Sequence, residues 1–146
     1  MQDGPERSFV EAVLSRNRYL VLSTTDGSTP WVAPLEYLTG DDLTLFFFST
    51  DDARHVRDIE KNELVSVAVF DQEQPDYSAG LSARLNGVQI EAVASRVPPE
   101  QYSEDIEAAI EALNPPMPPY AVFKIEPRRF YIPEIENGIN VRVEVQ

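Results

Sequence analysis

Between Thr44 and Phe70 two short apolar runs flank a polar, cationic segment, TLFFFSTDDARHVRDIEKNELVSVAVF. The order reads strand, loop, short helix, strand, and the other segments must arrange themselves around that unit. Leu43 to Phe48 holds three consecutive phenylalanines and has the length of a buried strand. Ser49-Thr50-Asp51-Asp52 offers four side chains able to accept from the free N–H groups of a helix start. Ala53 to Lys61 carries Val56 and Ile59 at helical spacing, with Arg54, His55, Arg57 and Lys61 around them. Leu64 to Phe70 is apolar and β-branched, which predicts a second buried strand.

The turn between the first strand and the helix is where chemistry is expected. Free backbone N–H groups, a favourable helix dipole and nearby cations are what a phosphate needs. Ser49, Thr50, Arg54, His55 and Arg57 supply those residue types. A capped helix on a sheet edge, with its charges solvated, accounts for the same residues. Asp51 and Asp52 bear on the choice, because negative charge at that N-terminus opposes a phosphate.

A chain of 146 residues is long enough to bury its own core, and residues 1–146 read as one domain. It has no cysteine, so disulfides, thiolate chemistry and cysteine-ligated metals are excluded. With His55 as the single histidine, a histidine-rich metal centre is excluded too, and no metal ligands are assigned. No apolar run reaches 18 residues and the opening MQDGPERSF lacks a signal pattern, so a cytoplasmic protein is expected. Acids outnumber bases 25 to 12, for a formal net charge of -13. Nucleic acids and anionic membranes are bound through clustered lysine and arginine, so neither partner is expected. Strong acidity with only two lysines, Lys61 and Lys124, would also suit a high-salt habitat, where screening relieves self-repulsion.

Along the chain, Pro5 to Asn17 is an amphipathic helix with Phe9/Val13 and Val10/Leu14 on one face. Arg18 to Thr24 and Trp31 to Leu38 are strands joined by the Asp-Gly turn at Thr25–Ser28. Pro30 and Pro34 confine the second to an edge or to a place where a ladder bond is missing. Asp71 to Gly80 is polar, a loop or the tip of a long hairpin, and Ser82 to Val97 is a long strand in which Gly87 marks a bulge or a close backbone approach. Pro98-Pro99 starts a helix with Tyr102, Ile106, Ile110 and Leu113 as its apolar stripe. Asn114 to Pro119 is a stiff connector. Tyr120–Ile125 and Arg129–Ile132 are predicted as two strands split by Glu126-Pro127. Ile139, Val141, Val143 and Val145 then alternate as a half-buried strand. Seven or eight strands and three helices make a mainly β domain, most economically closed as a barrel to remove its edges.

Catalytic groups are scarce. His55 has no serine or cysteine nucleophile motif to serve, and no glycine-rich phosphate loop occurs. Arg84 beside Leu85-Asn86-Gly87 reads either as facing a ligand anion or as a solvated strand arginine. Trp31 reads either as a stacking platform for a flat ring or as a core or interface aromatic.

The order of these pieces resembles the pyridoxamine 5′-phosphate oxidase-like, FMN-binding split-barrel family. Leu22 to Pro34 (LSTTDGSTPWVAP) is similar to that family's first hairpin, and Phe48 to Asn62 (FSTDDARHVRDIEKN) to its strand, Ser/Thr turn and cationic helix. Val65 to Asp71, Asn86 to Ala94 and Tyr120 to Pro127 are similar to its later strands. The resemblance runs from Arg18 to Ile132, departing at His55, where the family commonly has lysine, and at Asp58, where it commonly has asparagine.

The resemblance implies a six-stranded antiparallel split β-barrel of Greek-key type with about three short peripheral helices. It implies a homodimer and an FMN-dependent oxidoreductase acting on a small-molecule redox substrate. No side chain is assigned as catalytic, since the flavin carries the redox chemistry. Ser49, Thr50 and Arg54, with His55 beside them, would bind the phosphate. The backbone through Val32, Ala33 and Pro34 would lie along the isoalloxazine ring, and Gln89 would be an interface contact. The alternative is a non-catalytic binding module, because relatives of this fold use F420 or heme, or show no evident cofactor.

Overall fold

The computed structural model describes residues 4–74, 85–113 and 120–146. The chain runs α1 (Pro5–Arg16), β1 (Tyr19–Thr25), β2 (Pro30–Glu36), β3 (Leu38–Thr39), β4 (Leu45–Ser49), α2 (Arg54–Lys61) and β5 (Leu64–Phe70). It continues through β6 (Gly87–Val97), α3 (Glu104–Glu111), β7 (Ala121–Glu136) and β8 (Ile139–Glu144). Two 3-10 turns, Asp41–Leu43 and Pro99–Gln101, precede β4 and α3. Arg84 and the Asn114–Pro119 connector lie outside the described residues.

All strand pairs are antiparallel, in the order β2-β1-β5-β6-β7-β4-β3, with β8 also on β7. The mainly β architecture with three α-helices is the expected one. It has eight strands among the described residues, within the seven or eight read from the segments and two more than the six of the split barrel with which it is consistent, and the ladder does not close on itself. The open ends are β2 and β3. Pro30 and Pro34 have no N–H to donate across the free edge of β2, and β3 is only two residues long.

One correction concerns β7. Glu126-Pro127 does not split it: a single strand of 16 residues runs through the proline. The ladder shifts register there, Glu91 facing Arg129 and Ala92 facing Pro127, so Arg128 is left without an opposite residue. A bulge of this kind absorbs a residue that cannot donate to the ladder. β7 also has one neighbour on one edge and two on the other. β6 runs along Val122–Tyr131, while β4 takes Ala121–Ile125 and β8 takes Tyr131–Glu136 on the opposite side.

The core lies on the side of the sheet that faces α1 and α2. Leu20, Leu22, Leu45, Phe47, Ile90, Ile125 and Ile132 are buried there beneath Val10, Val13 and Leu14 of α1 and Val56 of α2. Phe47 stacks on Phe123 with centroids 5.1 Å apart. A smaller cluster (Val97, Ile106, Val122) seats α3 on the other side of β4, against Phe46 and Phe48. The α1 end is tied to the end of β5: Arg16 donates twice to the Asp71 carboxylate, at 2.9 and 2.6 Å, and Asn17 once at 2.8 Å. Those bonds hold the Asp71 carboxyl below its ordinary range. Tyr37 donates to the Leu14 carbonyl at 2.7 Å, and burial pushes its phenol up to about 12.

Candidate functional site

β4 delivers the chain to α2 through Ser49 and Thr50, and the helix start differs from the capped one expected. Its N-cap is Ala53, with no side-chain cap hydrogen bond. The four polar residues before it are engaged elsewhere. The Ser49 hydroxyl is buried and donates to the Thr50 carbonyl at 3.2 Å. Thr50 Oγ1 donates to Asp52 Oδ1 at 2.7 Å. Asp51 accepts from Arg96 at 2.7 Å, an ion pair that draws its negative charge toward β6. The first N–H groups of α2 therefore receive no side-chain acceptor from the segment that precedes them.

The first two helical residues diverge. Arg54 is exposed, and its guanidinium carbon sits 4.2 Å from the centroid of the Trp31 ring, a cation–π stack. Trp31, itself 39% exposed, reaches it from the edge strand β2. His55 turns inward and packs edge-on against Phe47 at 5.7 Å. Its Nε2 is buried with no hydrogen-bond partner among the described residues. Burial lowers the imidazole's proton affinity, against the pull of the nearby Asp58. Asp58, one turn on, is buried too and accepts from the Thr24 hydroxyl at 2.8 Å.

The register sorts the other predicted site residues. Directly opposed residues share a face of an antiparallel sheet. Pro34, Val21, Ala68, Gln89 and Tyr131 therefore form one row, and Val32, Ser23, Ser66, Glu91 and Arg129 the next. Val32, Pro34 and Gln89 thus share the outer face, while Trp31 and Ala33 share the α2 side of β2 with the buried Leu22 and Thr24. Ser23, Ser66 and Ala68 floor an open depression of about 280 Å³ on the outer face, bounded by Gln89, Glu91 and Tyr131. Around it Tyr19, Val32, Leu64 and Phe70 are more than half exposed. Gln89 accepts from Arg142 at 2.9 Å, and Tyr131 donates to Glu91 at 3.0 Å. The structure therefore stacks Arg54 on Trp31 at the start of β2, leaves Ser49 and Thr50 in the segment that leads from β4 to α2, and puts Val32, Pro34 and Gln89 together on the outer face.

Two features of this region escape a reading of the sequence. The Arg54–Trp31 stack joins residues 23 positions apart through β2 and α2, and no local spacing announces it. The Thr24–Asp58 bond is hidden in the same way. No group of three or more histidine, cysteine or acidic side chains suited to a metal occurs among the described residues. No described helix is long and apolar enough to cross a membrane.

A family model for pyridoxamine 5′-phosphate oxidase matches residues 7–132. The chain belongs to that family. No curated protein sequence matches it. Solved structures carry the same fold at low identity. An FAD-binding protein of Mesorhizobium loti is 18% identical, with 96% of this chain and 94% of that one covered and a TM-score of 0.66. General Stress Protein 26 of Bacillus anthracis is 20% identical, covering 94% and 98%, with a TM-score of 0.62. The heme storage protein HutZ of Vibrio cholerae is also 20% identical, covering 90% and 95%, with a TM-score of 0.62. In this pyridoxamine 5′-phosphate oxidase family member, then, the fold is shared with proteins described as binding chemically different cofactors.

Proposed function

We propose that the protein is an FMN-dependent oxidoreductase that works as a homodimer on a small-molecule redox substrate. The observation that carries the reading is the start of α2, a helix N-terminus without a side-chain cap and with the exposed Arg54 beside it. A phosphate there would take up free N–H groups, meet the positive end of the helix dipole and gain charge-assisted bonds from Arg54. Ser49 and Thr50 would add hydroxyls after rotating away from the Thr50 carbonyl and Asp52. His55 would support the turn from beneath, against Phe47. The Asp51–Arg96 ion pair favours this reading because it offsets part of the negative charge near the turn.

The bound FMN would supply hydride or electron transfer. The protein's part is to hold the phosphate at Arg54, to align the backbone of Val32, Ala33 and Pro34 with the ring, and to keep water away. The outer face supports the dimer. Its small-residue floor and exposed Val32, Leu64 and Phe70 form an apolar surface that a second copy would cover, with Gln89 among the contacts.

A binding module that holds F420, heme or no cofactor is the second reading, and Asp52 beside the turn favours it. Heme is the less supported of these ligands. The one imidazole, His55, packs inward against Phe47 and would have to leave the core to reach an iron.

The test is the visible spectrum of the purified protein, followed by an FMN titration that tracks Trp31, the single tryptophan. Flavin bands, or saturable quenching, are expected. Arg54→Ala should weaken FMN binding by roughly tenfold or more. An unchanged affinity would remove Arg54 from the site, and a colourless protein indifferent to FMN would leave the binding-module reading.

A further inference from the structure

A second cationic site lies where the sheet is split. On the edge of β7 opposite β6, pairing with β4 stops at Ile125 and pairing with β8 begins at Tyr131. The gap opens a cleft of about 430 Å³, within the size range of small-ligand sites. Arg7 from α1 and Arg128 and Arg129 from β7 line it, against two carboxylates, Asp42 and Glu144. In a chain with 12 basic residues and a net charge of -13, three arginines around one opening are a local concentration of positive charge, with Arg7 also donating to Glu11 at 2.7 Å.

The bulge makes this possible. Neighbours on a regular strand point to opposite faces. Arg128 is the residue the register leaves unopposed, and both it and Arg129 line the cleft. Bulges re-aim side chains in this way. Arg128 makes no ion pair or hydrogen bond among the described residues. Arg129 is only loosely paired, 3.8 Å from Glu144 and 3.9 Å from Glu91. The opposite wall is the turn before β4, where Asp42 and Leu43 both hold left-handed φ values of 53° and 61°. A leucine in that conformation is costly, and such strain gathers at ligand clamps. Leu43, Pro127 and Phe130 give the cleft apolar walls, and the amide of Val145 closes it by donating to the Phe130 carbonyl at 2.8 Å.

We propose that this cleft binds a small organic anion, a phosphate or carboxylate attached to an apolar body, with the charge on Arg128 and Arg7 and the body between Leu43 and Phe130. The site is separate from α2 and does not depend on a flavin.

Phenyl phosphate is the probe, titrated into the ¹⁵N-labelled full chain in moderate salt, with inorganic phosphate and benzyl alcohol as the charge-only and ring-only controls. Saturable shifts at the Leu43 and Phe130 amides are expected, with phenyl phosphate binding more tightly than either control. Arg128→Gln should weaken binding by about tenfold. Glu144→Gln should tighten it, by removing a competing carboxylate, and serves as the test should Arg128→Gln fail to fold. Arg54→Ala should leave it unchanged. Absence of saturation at those amides overturns the proposal. Shifts confined to Ser49–Arg54, or wild-type affinity in both cleft variants, do the same.

Discussion

Arg54 and His55 are sequence neighbours with opposite surroundings, one stacked in the open on Trp31, the other buried against Phe47. The difference gives His55 a measurable role in stability. Its neutral form is favoured in the folded state, so its proton affinity there lies below the ordinary 6.5. Protonation then opposes folding. The contribution is fully present above pH 6.5 and is lost as the pH falls from there through the lower folded value. Between pH 7.5 and 5 the wild type should therefore lose more thermal stability than His55→Leu; parallel curves would show that burial does not control this imidazole. At this scale the sequence was informative about residue type and silent about partners. The cation at the start of α2 was legible from Arg54, whereas the burial that keeps His55 neutral was not. The cap was not: Ser49, Thr50, Asp51 and Asp52 are good capping residues, but all four stand before the N-cap Ala53, and their side chains engage backbone, neighbour and β6.

Among the elements, periodicity located most strands and helices, and Pro30 and Pro34 rightly marked β2 as an edge, but Pro127 misled. β5 falls on Leu64–Phe70 as its β-branched run predicts. β7 does not break at Pro127, because a bulge lets the ladder pass a residue without an N–H. Gly87 was ambiguous between a bulge and a close approach, and the structure resolves it. The bulge lies at Glu91/Ala92, whereas a Cβ on Gly87 would come within 3.0 Å of Phe70 Cβ and 3.1 Å of the Val69 carbonyl oxygen. Neither atom can swing aside, since both belong to the paired strand β5. Gly87→Ala should cost about 1–3 kcal/mol, read as a lower urea midpoint. Wild-type stability in that variant would mean that the β5–β6 pair relaxes freely at this end.

For the whole molecule, charge and topology set the behaviour. A formal charge of -13 repels itself in the compact state, so added NaCl should raise the unfolding midpoint, most steeply up to a few tenths molar, where the screening length becomes comparable with side-chain spacing. A midpoint indifferent to salt would show that ion pairs such as Arg96–Asp51 and Arg16–Asp71 already balance the repulsion. The architecture was legible because strand alternation is local. The open ladder was not, because closure depends on how β2 and β3 end. The placement of β7 also has a consequence for synthesis. This strand is the shared neighbour of β6, β4 and β8, and along the chain it comes after all the described strands except β8. A ribosome therefore releases β1 to β6 before β4 can meet its main partner. During that interval the three phenylalanines of β4 and the free edge of β6 wait exposed, a stage at which a chaperone would have most to protect.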